Sequence, residues 1–434
     1  MSTAHHAHEI AKTFPAITSH GESNGITFSD FSTTYAASIQ NPSAFWLEQA
    51  LEKLDWFIKP TVGLEGDFDA GDVRWFSNGQ LNVCYNAIDR HVQNGKANEI
   101  AMVWEGDEPT DVLKLTFLQV QRRVSQIANV LKRKGIGKGD VVTIYMPMVV
   151  ELPLTMLACA RIGAIHSVVF AGFSSEALAQ RIVAAQSKCV MTANVSSRGG
   201  KMIPLLDIVS DARTKPNVED TLQYVFVWER GYTADQADVV PEYLVGKEGD
   251  TKMVRMNVLV DTQRPYCVVE PMNAEDPLFL LYTSGSTGKP KGLVHTTGGY
   301  ALYAAFTTKT TFDLRTGDLF ACVADCGWIT GHTYVVYGPL LNGCPTFIFE
   351  STPVYPTPAR YWEMIQRHSI TQFYTAPTAI RLLMRYGDDI PNQFDLPAGK
   401  LRVLGTVGEP INPEAVRTLH GLGGLVCDEY WITN

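Results

Sequence analysis

The chain has no apolar stretch of membrane-spanning length, which excludes a transmembrane helix. It has no internal repeat, which excludes a solenoid or propeller. Positive charge is scarce: 36 Lys and Arg stand against 45 Asp and Glu, for a net charge of −9. That balance gives no broad basic footprint for nucleic acid, so any phosphate binding must be local. Eight cysteines (84, 159, 189, 267, 322, 326, 344 and 427) are scattered, mostly in apolar stretches, without a C-x-x-C pair. This excludes a disulfide framework and reads as reduced core thiols. Cys322 and Cys326 lie closest, but the residues between them read as the end of a strand, and no protein metal ligand is assigned. The N-terminus lacks the apolar core of a secretory signal and the arginine-rich face of a transit peptide. The expected location is cytoplasmic or nucleocytoplasmic. His5, His6 and His8 read as a solvated terminus.

What is present is a large α/β pattern. A chain of 434 residues exceeds the size at which single cores stop growing, about 250 to 300 residues. Pro42 to Trp56 has helical spacing and gives way to a Gly- and Asp-rich stretch, so residues 1–110 read as an N-terminal extension outside the catalytic core. From Thr116, Phe117, Val120, Val124, Ile127 and Leu131 recur at steps of three and four until Gly135, which predicts an amphipathic helix. Apolar runs Val141 to Met146, Ile165 to Phe170 and Cys189 to Thr192 alternate with helical segments, as parallel strands with crossover helices do. The rhythm restarts at Leu278 to Tyr282 and continues through Leu319 to Ala324, Thr346 to Phe349, Gln372 to Thr375, Leu401 to Thr406 and Leu425 to Cys427. The expectation is a first lobe over 111–265 and a second over 266–434.

Residues 282 to 292 read Tyr-Thr-Ser-Gly-Ser-Thr-Gly-Lys-Pro-Lys-Gly, directly after an apolar run. Glycines let the backbone approach an anion, Thr283, Ser286 and Thr287 offer neutral donors, and Lys289 and Lys291 offer charge. The run departs from G-x-x-x-x-G-K-[ST], because threonine stands where that loop needs its first glycine and Pro290 stands where it needs a magnesium-binding hydroxyl. Composition alone would equally suit a surface turn rich in Gly, Ser and Lys. Two further polar clusters follow apolar runs, Thr406-Val407-Gly408-Glu409-Pro410 and Asp428-Glu429-Tyr430-Trp431-Ile432-Thr433. Open α/β sheets bind ligands beyond the carboxyl ends of their strands, where all three clusters are expected.

The eleven-residue run resembles the signature loop of the adenylate-forming enzymes. Over most of the chain the resemblance narrows to the acetyl-CoA synthetase family, through Trp75 to Asn82, Asp89-Arg90-His91, Arg161 to Phe170, Gly327-Trp328-Ile329-Thr330-Gly331-His332 and Val407-Gly408-Glu409-Pro410-Ile411-Asn412-Pro413. That resemblance implies a large domain with two parallel-rich α/β lobes and a small C-terminal lid. It implies an acetate-CoA ligase that joins acetate to ATP with magnesium, releases pyrophosphate, and passes the acetyl group to coenzyme A, leaving AMP. A propionate-CoA ligase and a non-catalytic nucleotide-binding remnant are the alternatives. Small molecules are then the partners, with no nucleic acid and no membrane.

Carried over by position, the resemblance implies that Thr283, Ser284, Gly285, Ser286, Thr287, Gly288 and Lys289 hold the β- and γ-phosphates of ATP. Lys289, Lys291 and Thr330 become the catalytic candidates. Gly408, Glu409 and Pro410 become nucleotide contacts, with Asp428, Glu429, Tyr430, Trp431, Ile432 and Thr433 closing over adenine and α-phosphate. Trp328, Ile329, Thr330, Val407 and Trp431 would wall an acetate pocket, where the Trp431 indole excludes longer acids by overlap. Plain core packing is the other reading of Ile329 and Val407. Arg198, Gly199, Gly200 and Lys201, with Thr330, would meet coenzyme A, the cationic tips on its phosphates.

The sequence also departs from the family. Lys201 stands where arginine is usual, which keeps charge but loses the bidentate fork, and Val354 replaces a common asparagine near the coenzyme site. Ile432 replaces a polar residue, and Asn434 sits where a carboxylate helps hold magnesium. The family's lid lies beyond Asn434, so this chain alone is expected to be inactive or impaired. His166 and His332 read as hydrogen-bonded core histidines, since adenylation uses the acid's own carboxylate as nucleophile.

Overall fold

The computed structural model describes residues 28–231, 252–283, 290–387, 390, 393–394, 401–411 and 425–429, with side chains omitted at 28–29 and 425–429. Two seven-stranded sheets dominate it. The first runs Lys252–Arg255, Tyr224–Trp228, Cys189–Ala193, Val141–Tyr145, Ile165–Val168, Pro277–Thr283, Lys291–Thr296. The second runs Leu425–Glu429, Val403–Val407, Gln372–Thr375, Phe320–Cys322, Thr346–Phe349, Ile100–Glu105, Val112–Thr116. Neighbours are parallel in both except for the last pair, which is antiparallel. Central strands such as Cys189–Ala193, Thr346–Phe349 and Gln372–Thr375 are buried at every position, because crossover helices cover both faces.

The helix predicted from Thr116 spans Phe117–Arg133. Thr116 accepts from the Gln119 amide while the Gln119 side chain accepts from the Thr116 amide, a reciprocal cap that satisfies two orphan donors. At the other end Gly135 takes φ +75°; its N–H reaches the Lys132 carbonyl and that of Ile136 the Leu131 carbonyl. This left-handed stop favours glycine. Between them Phe117, Val120, Val124, Ile127 and Leu131 are buried, as the spacing predicts.

Sheet membership cuts across the sequence divisions at 110/111 and 265/266. Ile100–Glu105 pairs with Thr346–Phe349 in the second sheet, and the hairpin Pro277–Thr283/Lys291–Thr296 closes the first. The segment before residue 110 also enters the largest core through Leu81, Cys84, Ala87 and Ile88. Within that core Arg161, 2 % exposed, forks onto Asp89 at 2.7 and 2.9 Å. Seven cysteines (84, 159, 189, 267, 322, 326 and 344) are buried free thiols. Among the described residues no helix is long and apolar enough to cross a membrane.

Candidate functional site

In the second sheet Phe320–Cys322 has Thr346–Phe349 on one side and Gln372–Thr375 on the other, so the winding reverses at this strand. Beyond its carboxyl end the chain turns sharply. Asp325 Oδ1 accepts from the Gly327 amide at 2.7 Å, and a Cβ on Gly331 would lie 2.2 Å from the Asp325 carbonyl oxygen, so the return path requires glycine. Burial pushes the Asp325 carboxyl up to about 6 against the pull of the Gly327 amide and Arg198. The turn presents Trp328, half-exposed, with its ring centroid 4.8 Å from that of Phe170. The Arg198 guanidinium lies 5.4 Å from the same Phe170 ring. Phe170 thus joins two residues that the sequence placed in different subsites. The sequence signal for it was its position at the end of an apolar run followed by Ala-Gly-Phe.

Arg198 and Lys201 are paired across a tight hairpin whose central residues, Gly199 and Gly200, have φ +62° and +76°. Two consecutive positive φ values fit a primed two-residue turn, which glycine adopts without strain. The Asp107 carboxylate accepts from the amides of Gly199 (2.7 Å) and Gly200 (2.8 Å) and from Ser197 Oγ (3.0 Å) and Ser351 Oγ (2.6 Å). Burial works to raise its pKa, but these four donors outweigh burial and hold the carboxyl below its ordinary value. The two glycine amides are therefore committed within the protein, and the exposed Arg198 and Lys201 side chains are the groups this turn offers to a ligand. No local pattern marked Asp107. Its role depends on partners about 90 residues and more away in sequence.

Val403–Val407 and Leu425–Glu429 pair in parallel register, Thr406 opposite Asp428 and Val407 opposite Glu429. Thr406-Val407 and Asp428-Glu429 thus reach the end of the sheet side by side. Gly408 turns the chain with φ +93°. The Glu409 carboxylate accepts from Thr378 Oγ1 and pairs with Arg381 at 2.6 Å, which holds its pKa below the ordinary value. Thr378 and Arg381 come from Pro377–Met384, the helix after the adjacent strand. Neither was singled out by sequence.

Ile329 and Thr330 border an apolar cavity of about 510 Å³ together with Trp46, Trp75, Tyr300 and Thr333. Val407 does not line it. It is 5 % exposed within the main core. His332 and His166 are buried core histidines: His332 Nδ1 contacts the Trp328 carbonyl at 3.1 Å and His166 Nε2 contacts Tyr337 Oη at 2.6 Å. Val354 packs against the apolar cluster of the second sheet.

Thr283 and Lys291 pair as the last residues of an antiparallel hairpin in the first sheet. The signature run therefore bridges two strands, whereas the usual NTPase loop joins a strand to a helix. Lys291 is exposed. Ser284, Gly285, Ser286, Thr287, Gly288, Lys289, Tyr430, Trp431, Ile432 and Thr433 lie outside the described residues, as do the side chains of Asp428 and Glu429.

Comparison with known proteins adds two family matches and two relatives. Residues 31–87 match the family described as Acetyl-coenzyme A synthetase N-terminus. The chain is 47% identical over 415 residues to the Acetyl-coenzyme A synthetase of Dictyostelium discoideum, covering 93% of this chain and 58% of that protein. It is 48% identical over 426 residues to the Acetyl-coenzyme A synthetase of Psychromonas ingrahamii, covering 97% of this chain and 63% of that protein. The chain thus spans about six tenths of the length of these relatives. Since residues 88–434 match the family described as AMP-binding enzyme, most of both sheets included, the chain belongs to that family.

Proposed function

We propose that the chain carries the nucleotide- and acyl-binding part of an AMP-forming acetate-CoA ligase. The observation that carries this reading is the register that delivers Val407 to Pro410 and Asp428-Glu429 to one sheet edge, in a chain 47% identical to a named acetyl-CoA synthetase. In this reading the acetate carboxylate attacks the α-phosphorus of MgATP, and the bond to the departing pyrophosphate breaks. The 283–291 hairpin tip, with Lys289 and Lys291, stabilises the charge that accumulates on pyrophosphate. Gly408, Glu409 and Pro410 line the adenine, and Asp428 to Thr433 close over adenine and α-phosphate. Arg381 and Thr378 position the Glu409 carboxylate.

Acetate sits against Trp328, Ile329, Thr330, Val407 and Trp431. Coenzyme A lays its phosphates on Arg198 and Lys201 beside Gly199 and Gly200, and its thiol attacks the acyl carbonyl near Thr330 to release AMP. Magnesium enters with the nucleotide. Propionate fits the same chemistry, and Trp431→Gly would lengthen the accepted acid.

Calorimetric titration of the chain with MgATP tests the assignment. The expected result is saturable binding that falls about tenfold or more in the Lys289→Ala/Lys291→Ala double variant, as loss of charged hydrogen bonds predicts. Unchanged affinity with an unchanged melting curve would show that the hairpin tip does not hold the phosphates.

A further inference from the structure

The helix Ser175–Ala185 follows the strand Ile165–Val168, which pairs in parallel with Pro277–Thr283. The start of this helix and Thr283 therefore lie at the same end of the first sheet. Arg181 stands on the second turn of the helix. Its side chain folds back toward the helix start, as long helical side chains do, and Nη1 donates to the Ala177 carbonyl at 2.8 Å. The guanidinium carbon lies 4.7 Å from the centre of the Phe173 ring and 6.0 Å from that of Tyr282. Tyr282 is the first residue of the signature run.

Arg181 is 8 % exposed and makes no ion pair within 4.0 Å among the described residues. Glu176, the acid nearest in sequence, is paired with Lys215 at 3.2 Å. Burial lowers the pKa of Arg181, opposed among the described residues only by the Tyr282 phenol, which burial keeps protonated. The Phe173 ring face offsets part of the burial cost, but it carries no net charge to neutralise a guanidinium. Nε and Nη2 make no hydrogen bond among the described residues, and neither is sealed from the surface. A nearly buried cation with free N–H groups and no acid beside it is a built place for an anion.

We propose that Arg181 is a further phosphate-binding residue, whose guanidinium reaches the terminal phosphates of the nucleotide at the root of the 283–291 hairpin tip and holds the pyrophosphate as it leaves. The inference rests on the nucleotide reading of the chain. A planar fork of N–H donors matches two oxygens of one phosphate, which a lysine on the loop cannot do. The terminal phosphates are favoured over the α-phosphate because Arg181 stands on the first sheet with the hairpin, whereas the proposed adenine contacts stand on the second.

Calorimetry of the chain with MgATP, AMP and coenzyme A tests this, with wild type beside Arg181→Met, whose unbranched apolar stem keeps the packing on Phe173. MgATP affinity is expected to fall about tenfold or more, while the melting curve and the affinities for AMP and coenzyme A hold. Unchanged MgATP affinity overturns the proposal. An equal loss for AMP overturns it too, as a merely structural arginine would give, and so does a loss confined to coenzyme A. Failure of the nucleotide reading looks different: wild type then binds no MgATP, or Lys289→Ala/Lys291→Ala binds it undiminished. Unchanged affinity in Arg181→Met beside a weakened lysine variant removes the Arg181 assignment alone. If Arg181→Met does not fold, Arg181→Gln, which keeps a polar tip for the Ala177 carbonyl and loses the charge, decides by the same criteria.

Discussion

The two sheets are near copies in architecture, and they differ in how they complete themselves. Each has seven strands, a winding reversal and a single antiparallel pair at one edge. In the first sheet that pair, Pro277–Thr283 and Lys291–Thr296, comes late in sequence; in the second, Ile100–Glu105 and Val112–Thr116 come early. The tips of the two hairpins diverge further. The early tip is tied down, with the Gly106 amide on the Asp111 carbonyl at 2.8 Å and Asp107 anchoring the Gly199-Gly200 turn. The late tip carries the Ser-Gly-Ser-Thr-Gly-Lys run of the signature. The same structural position thus backs the Gly199-Gly200 turn in one sheet and, in the proposed function, holds the ligand itself in the other.

Substitutions can sharpen this contrast. The largest effect is expected from Asp89→Ala, which strands the buried Arg161 guanidinium and should cost about 3 to 5 kcal/mol in urea unfolding. A loss of less than about 1 kcal/mol would mean that the segment before residue 110 is an appendage and not a member of the shared core.

Asp107→Ala comes next. Removing an acceptor shared by four donors should cost about 2 to 3 kcal/mol, with faster amide exchange confined to Gly199 and Gly200. Its pH dependence has a defined sign. A carboxyl held below its ordinary value contributes stability that is present above that value and is lost as pH falls through the folded pKa. Wild type should therefore lose an increment of stability under acid that Asp107→Ala lacks, and parallel acid curves for the two proteins would contradict the anchoring role.

The smallest effect is expected from Gly200→Ala. The added Cβ would lie 2.7 Å from the Tyr355 ring at a residue with φ +76°, for a cost of about 1 to 2 kcal/mol read as a shift in melting temperature. A neutral result would mean that the turn can change type.

Much of this was legible from sequence. The capped helix Phe117–Arg133, the alternation through Cys189–Ala193, and strands such as Thr346–Phe349 and Gln372–Thr375 follow from periodicity and apolar runs. Lys291–Thr296 was not, because an exposed edge strand that reads Lys-Gly-Leu-Val-His-Thr has neither alternation nor a long apolar run. The early hairpin was hidden for another reason. Ile100–Glu105 has an ordinary strand composition, but nothing local says that it joins a sheet whose other strands, its hairpin partner Val112–Thr116 aside, begin more than 200 residues later. Motif residues could be located one at a time, whereas the groups that hold them, Asp107, Phe170, Thr378 and Arg381, come together only through the fold.

That early strand has a consequence for how the protein is made. Ile100–Glu105 leaves the ribosome long before its partner Thr346–Phe349 exists, and the register Met102 opposite Thr346 closes a loop of more than 240 residues. Long closure adds little to equilibrium cost, because the entropy grows only with the logarithm of length. It weighs on kinetics instead, since a chain dominated by remote pairings folds slowly and leaves apolar strand edges open in the meantime. Until Thr346–Phe349 is made, Ile100–Glu105 is paired on one side only, through its hairpin with Val112–Thr116, and its other edge stays open, which makes yield in the cell sensitive to translation speed and to chaperone supply.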